Sequence, residues 1–112
     1  MALAELSSES VSHRDLKAFP ICDADGSVVR LRGEHDYYTA PELWQTMAQA
    51  MAFDDGDVVV DLSAVDFMSA STVGVLIRAR AFLQKRSRKL TLRSPSTRAL
   101  RVLGLCGVTN TG

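Results

Sequence analysis

Three hydroxyl residues, Ser69, Ser71 and Thr72, crowd together just after an apolar run. At such a place Ser and Thr cap the unpaired amides that begin a helix. The alternative is a switch, because a phosphate of about two negative charges there changes any surface docked over it. At a contact that charge is costly to desolvate unless a cation meets it, so modification abolishes binding without unfolding the domain. From these residues alone, capping ranks ahead of switching. Catalysis has less to work with. His35 and His13 are the only imidazoles, and His13 falls in a polar N-terminal stretch, so no nucleophile, base and orienting acid assemble. Asp61 and Asp66 bracket the expected end of a strand, where α/β proteins often bind ligands, but two acids without a further partner shape loops more readily than they hold a metal. Cys22 and Cys106 make no CxxC and have no histidine at metal-ligand spacing, so they read as two ordinary thiols. Gly26, Gly33 and Gly56 fit neither GxGxxG nor GxxxxGK[ST], which disfavours phosphate-binding enzymes. The expectation is a non-enzyme with no catalytic residue, no metal and no cofactor.

The elements that position the hydroxyl cluster follow from periodicity. The chain has 112 residues, 46% hydrophobic and 23% charged, which suits one globular domain. Thirteen basic residues balance thirteen acidic ones, so no net field favours nucleic acid. Neither a basic–apolar leader nor a run of about 20 apolar residues is present, so a cytoplasmic protein with no membrane contact is expected. Residues 1–15 lack apolar periodicity and read as a flexible N-terminal arm, with one domain over residues 16–112.

Residues 18–22 and 27–32 predict two strands joined by a turn at 23–26, with Val29 and Leu31 on the inner face. Residues 40–52 place Leu43, Met47, Ala50 and Met51 on one helical face, with Thr39 as cap and Pro41 in the first turn. Residues 57–62 are a β-branched run expected at the sheet centre, buried on both faces. A loop over 63–69 leads to a helix over 70–85 whose core face is Val73, Leu76, Ile77 and Leu83. Arg78, Arg80, Lys85 and Arg86 fall on its solvated side. Residues 89–93 make a further strand, and Ser94, Pro95 and Ser96 begin a short helix through Leu103. Strand, helix, strand over 57–93 is a βαβ unit. The fold class is therefore α/β, a mixed sheet of about four to five strands with helices packed mainly on one face.

The run DVVVDLSAVDFMSASTVGVL at 57–76 resembles the signature segment of STAS domains, a VVxDLSxVxFMDSSGLGVL-like run that carries a regulatory serine. LRGEHD at 31–36 resembles the family's LxGELD element, and residues 90–107 resemble its LxLxxPSxxxxRVLxLxGL tail. Coverage runs from Phe19 to Val108, and the STAS fold that this implies agrees with the mixed sheet. Simple members of this size are anti-sigma factor antagonists. Unphosphorylated, they bind a kinase-type anti-sigma factor and free the sigma factor; phosphorylation of the serine by that kinase ends the complex.

Aligned without gaps between Phe67-Met68 and Gly74, the family's Asp falls on Ser69, its acceptor Ser on Ala70 and its next Ser on Ser71. Alanine takes no phosphate. The resemblance therefore implies an altered switch, either displaced to Ser71, Ser69 or Thr72, with Ser71 the nearest neighbour, or lost, with a signal arriving elsewhere, for example through Cys22 and Cys106. The implied contact surface is Phe67, Met68, Ser69, Ala70, Ser71, Thr72 and Val75, with Asp36, Tyr37 and Tyr38 as its rim. Trp44 is expected in or near the core. Two other readings stand beside this one: a STAS adaptor subunit of a transporter or stress-sensing complex, and a nucleotide-binding sensor using the strand-end loop near Asp36 and Asp61. The chain stops soon after Gly107, where many relatives continue, which leaves an edge or helix face less covered and predicts a homodimer.

Overall fold

The computed structural model describes residues 21–108; the arm expected over 1–15 and the start of the first apolar run lie outside them. In chain order the elements are β1 (Ile21–Asp25), β2 (Val28–His35), a 3₁₀ turn (Tyr37–Thr39), α1 (Ala40–Phe53), β3 (Val58–Met68), α2 (Ala70–Gln84), β4 (Leu90–Arg93) and α3 (Thr97–Leu105). The sheet order is β1-β2-β3-β4. β1 runs antiparallel to β2, whereas β2–β3 and β3–β4 are parallel pairs. Each parallel pair needs a crossover, and α1 and α2 supply the two.

Alternation along the strands decides where the core lies. On β2, Val29, Leu31 and His35 are buried while Arg32 and Glu34 face solvent. On β3, Val58, Val60 and Leu62 are fully buried between Val59 and Asp61, which are only half-buried. The helices cover the first face, where Leu43 and Met47 of α1, Val73, Leu76 and Leu83 of α2, and Ala99 and Leu103 of α3 complete one cluster. Each fully buried Val or Leu here contributes about 1.5–3 kcal/mol by leaving water. The second face is charged, with Arg30 opposite Asp61 across β2–β3 and Asp61 opposite Arg93 across β3–β4.

The structure corrects several sequence expectations. The hairpin turn is Gly26-Ser27 rather than residues 23–26, with Gly26 at φ +65°, a region that favours glycine. β3 does not stop at 62 but continues to Met68. Beyond Leu62 its buried residues recur at Val65 and Met68, a spacing of three that follows irregularities in the β2–β3 register and hides the strand from a period-two reading. β3 is not buried on both faces, because the helical crossovers lie on one side of the sheet. Ile77 is on the exposed side of α2, and Thr72, Val75 and Ala79 take core positions instead.

One long-range clasp was not legible in the sequence. The Arg88 guanidinium donates to the backbone carbonyls of Met51 (2.9 Å), Asp54 (2.8 Å) and Gly56 (2.8 Å), fastening the end of α1 to the segment that follows α2.

Candidate functional site

The hydroxyl cluster sits where β3 ends and α2 begins. Ser69 is the N-cap of α2, its Oγ accepting from the Thr72 amide at 3.3 Å. The carbonyl of His35, the last residue of β2, accepts from both the Ser69 amide (2.9 Å) and the Thr72 hydroxyl (3.1 Å). These bonds pin the start of α2 to the end of β2. The His35 ring is itself buried, and its Nε2 donates to the Arg32 carbonyl at 2.9 Å. The three hydroxyls are therefore not equivalent. Ser69 is spent on capping and Thr72 on His35. Ser71, at the second position of the helix, is half-buried, and its hydroxyl makes no hydrogen bond among the described residues. Ala70, at the first position, is exposed.

The rim is built by the 3₁₀ turn. Asp36, not Thr39 alone, organises it: Asp36 Oδ1 accepts from the amides of Tyr38 (2.9 Å) and Thr39 (3.1 Å), and Thr39 Oγ1 accepts from the Asp36 amide at 3.0 Å. This reciprocal capping box holds Tyr37 and Tyr38 outward, 69% and 85% exposed, with their rings edge to face at 5.5 Å. Phe67 is a third exposed aromatic, at 46%. Two residues expected on the contact surface are not on it. Met68 and Thr72 are each 1% exposed, because the three-residue spacing of buried positions along the end of β3 and the inner face of α2 turn them into the core. Thr72 thus turns its hydroxyl to the His35 carbonyl rather than to solvent. Val75 is also buried, and reaches the surface only as part of a groove wall.

That groove, of about 860 Å³, runs between the 3₁₀ turn, α1 and α2, with Tyr37, Tyr38, Trp44, Ser71, Gly74 and Arg78 among its lining. Trp44 is half-buried against the core as expected, and the Arg78 guanidinium lies over its ring, 4.5 Å from the centroid.

The acids expected at a strand-end loop lie apart. Asp61 is mid-strand on the open sheet face, opposite Arg30, while Asp36 follows the end of β2; six residues of extended chain separate the two levels by about 20 Å. Asp61 accepts from the Ser63 amide at 2.9 Å and pairs with Arg93 at 3.1 Å. The Ser63 hydrogen bonds, and then Arg93, hold its carboxyl below the usual value of 3.8. Asp66 is exposed and takes part only through its carbonyl, 3.5 Å from Arg98. Cys22, on edge strand β1, and Cys106, at the end of α3, are both half-buried. No helix among the described residues is long and apolar enough to cross a membrane.

A four-stranded mixed sheet with helices on one face, and a helix start offered to solvent at the end of the central strand, define a STAS domain. The chain belongs to that family: the family model described as "Mlab, STAS domain" matches residues 22–110. An anti-sigma-B factor antagonist of Listeria monocytogenes is 29% identical over 89 residues, which are 79% of this chain and 77% of that protein. The crystal structure of an anti-sigma factor antagonist from Mycobacterium paratuberculosis is 30% identical, with a TM-score of 0.61 over 80% of this chain and 78% of that one. The anti-sigma factor antagonist SpoIIAA in its unphosphorylated form has a TM-score of 0.64 at 18% identity over 80% of this chain and 82% of that one, a likeness of fold.

Proposed function

We propose that this chain is a cytoplasmic, non-catalytic anti-sigma factor antagonist. It binds a serine-kinase-type anti-sigma factor and so frees a sigma factor. The contact surface is the start of α2, Ser69, Ala70 and Ser71, with Phe67 and a rim of Asp36, Tyr37 and Tyr38. The observation that carries the reading is this exposed, aromatic-edged helix start in a chain whose relatives named as antagonists match it over most of their length. Tyr-rich rims around small side chains suit a protein contact. With alanine at the position aligned with the family's acceptor, the switch is displaced to Ser71 or absent. The hydrogen bonds favour Ser71, since Ser69 and Thr72 already spend their hydroxyls.

The test is a pull-down of the purified chain from lysate of its source, with mass spectrometry of the partners and of the bait peptide over residues 58–78. A histidine-kinase-like ATPase together with phosphate on Ser71 supports a displaced switch. The same ATPase without phosphate supports an antagonist that has lost it. Recovery of transporter or stress-sensor subunits alone refutes the sigma-factor reading. That outcome is the second reading, a STAS adaptor subunit, and the Mlab description of the matching family model is what favours keeping it.

A further inference from the structure

Among the described arginines, Arg78 is the one that lines the groove, where it lies over Trp44. Arg88 is spent on three carbonyls, Arg93 on Asp61, and Arg86 on the Phe82 carbonyl at 2.9 Å. Arg78 makes no hydrogen bond or ion pair among the described residues; its one recorded partner is the Trp44 ring beneath it. It is also the only charged group lining the groove, and no carboxylate among the described residues faces it there. A planar cation held flat on an indole keeps its edge donors aimed and unspent, and that fork matches a carboxylate bidentately.

The rest of the groove is concave and mostly apolar, with Gln45 and Ser71 as its further polar side chains. Tyr37, Tyr38, Pro41, Trp44 and Val75 wall it, and its volume of about 860 Å³ falls in the range of small-molecule sites, about 300–1,000 Å³. Gly74 keeps the α2 wall open: a Cβ built there meets nothing within 4 Å. The starts of α1 and α2 border the groove and add the positive end of two helix dipoles.

We propose that this groove is a binding site for a small amphipathic organic anion, a flat or aliphatic apolar body bearing one carboxylate that pairs with Arg78. The body stacks along Trp44 and the tyrosines, in the space that Gly74 leaves open. The site goes beyond the antagonist reading and does not depend on it. Where both hold, they share Tyr37, Tyr38 and Ser71, so an occupied groove competes with the protein partner.

Trp44 is the chain's only tryptophan and lines the groove, so its fluorescence responds to an occupant there; it also borders a smaller depression beside Phe82 and Arg86, and the Arg78 and Gly74 variants assign the signal to the groove. The experiment titrates the isolated chain with 1-anilinonaphthalene-8-sulfonate, an anionic amphiphile, and in parallel with N-phenyl-1-naphthylamine, the same ring system without the anion. The expected result is saturable quenching of Trp44 at one site by the anion, with the neutral analogue binding at least about tenfold more weakly, the effect of losing a charge-assisted pair. Arg78→Gln erases the preference between the two probes. Gly74→Leu abolishes binding of both while the thermal midpoint stays at or above that of the unaltered chain. Equal binding of the two probes, or anion binding that leaves Trp44 unquenched, overturns the proposal. Failure of the anion to bind, with Arg78→Gln weakening capture of a protein partner, also overturns it and assigns Arg78 to an acidic side chain of that partner. Because no partner is present in the titration, its failure leaves the antagonist reading standing.

Discussion

Replacing Arg88 with alanine removes three hydrogen bonds at once and separates two segments more than thirty residues apart in the chain. Their weights differ. The bond to the Met51 carbonyl is partly buried, and a hydrogen bond from a charged donor in such a place contributes about 1.5–3 kcal/mol. The bonds to Asp54 and Gly56 face solvent and are discounted to about 0.3–0.5 kcal/mol each. Arg88→Ala is therefore expected to cost about 2–4 kcal/mol, and at about 4–8 °C per kcal/mol for a domain of this size the melting midpoint falls by about 10–30 °C. Arg88→Lys recovers less than half, because a single ammonium lacks the planar fork that reaches three acceptors. The assay is urea unfolding followed in parallel by Trp44 fluorescence and far-ultraviolet circular dichroism, whose coincidence checks that one transition is being read. A loss below about 0.5 kcal/mol, or a lysine variant as stable as the arginine one, refutes the clasp as a source of stability.

Two further perturbations test other parts of the molecule. Asp61 has a folded-state pKa below 3.8, so its contribution is full above the unfolded value and is lost as pH falls through the lowered one; Asp61→Asn should be less stable than the parent at pH 6, with the gap closing below pH 3.8, and a gap that persists in acid counts against the hydrogen bonds as its cause. Gly74→Ala meets no atom and replaces a poor helix former inside α2, so denaturant unfolding should show a gain of about 0.5–1 kcal/mol, and a net loss means that α2 packs more closely there than the structure has it.

The helices were legible in the sequence because their apolar spacing is a local property: Leu43, Met47, Ala50 and Met51 announce α1 without reference to anything outside it. Burial of Val29 and Leu31 was legible for the same reason. What escaped depends on neighbours. The outer half of β3 keeps its place through pairing with β2 across register irregularities, so Leu62, Val65 and Met68 do not alternate. Val59 looks like a residue for a doubly covered strand, yet nothing in its own segment says that both crossovers lie on one side of the sheet. Arg88 reads as one more surface cation until the fold brings α1's last carbonyls to it. At the candidate site the hydroxyl cluster itself was evident, but its division of labour was not. Only the His35 carbonyl, supplied from another strand, separates the inward Thr72 from Ser71. The groove was missed altogether, since Trp44 and Arg78 lie on different helices and join only through packing.

Among the described strands, order along the sheet equals order along the chain. Each new strand thus finds the one it must pair with already made, and no strand has to be threaded between two earlier ones. The order lets β2 pair with β1 across a two-residue turn and β3 join β2 through α1. A chain arranged this way needs no waiting step for a later segment to complete an earlier pair.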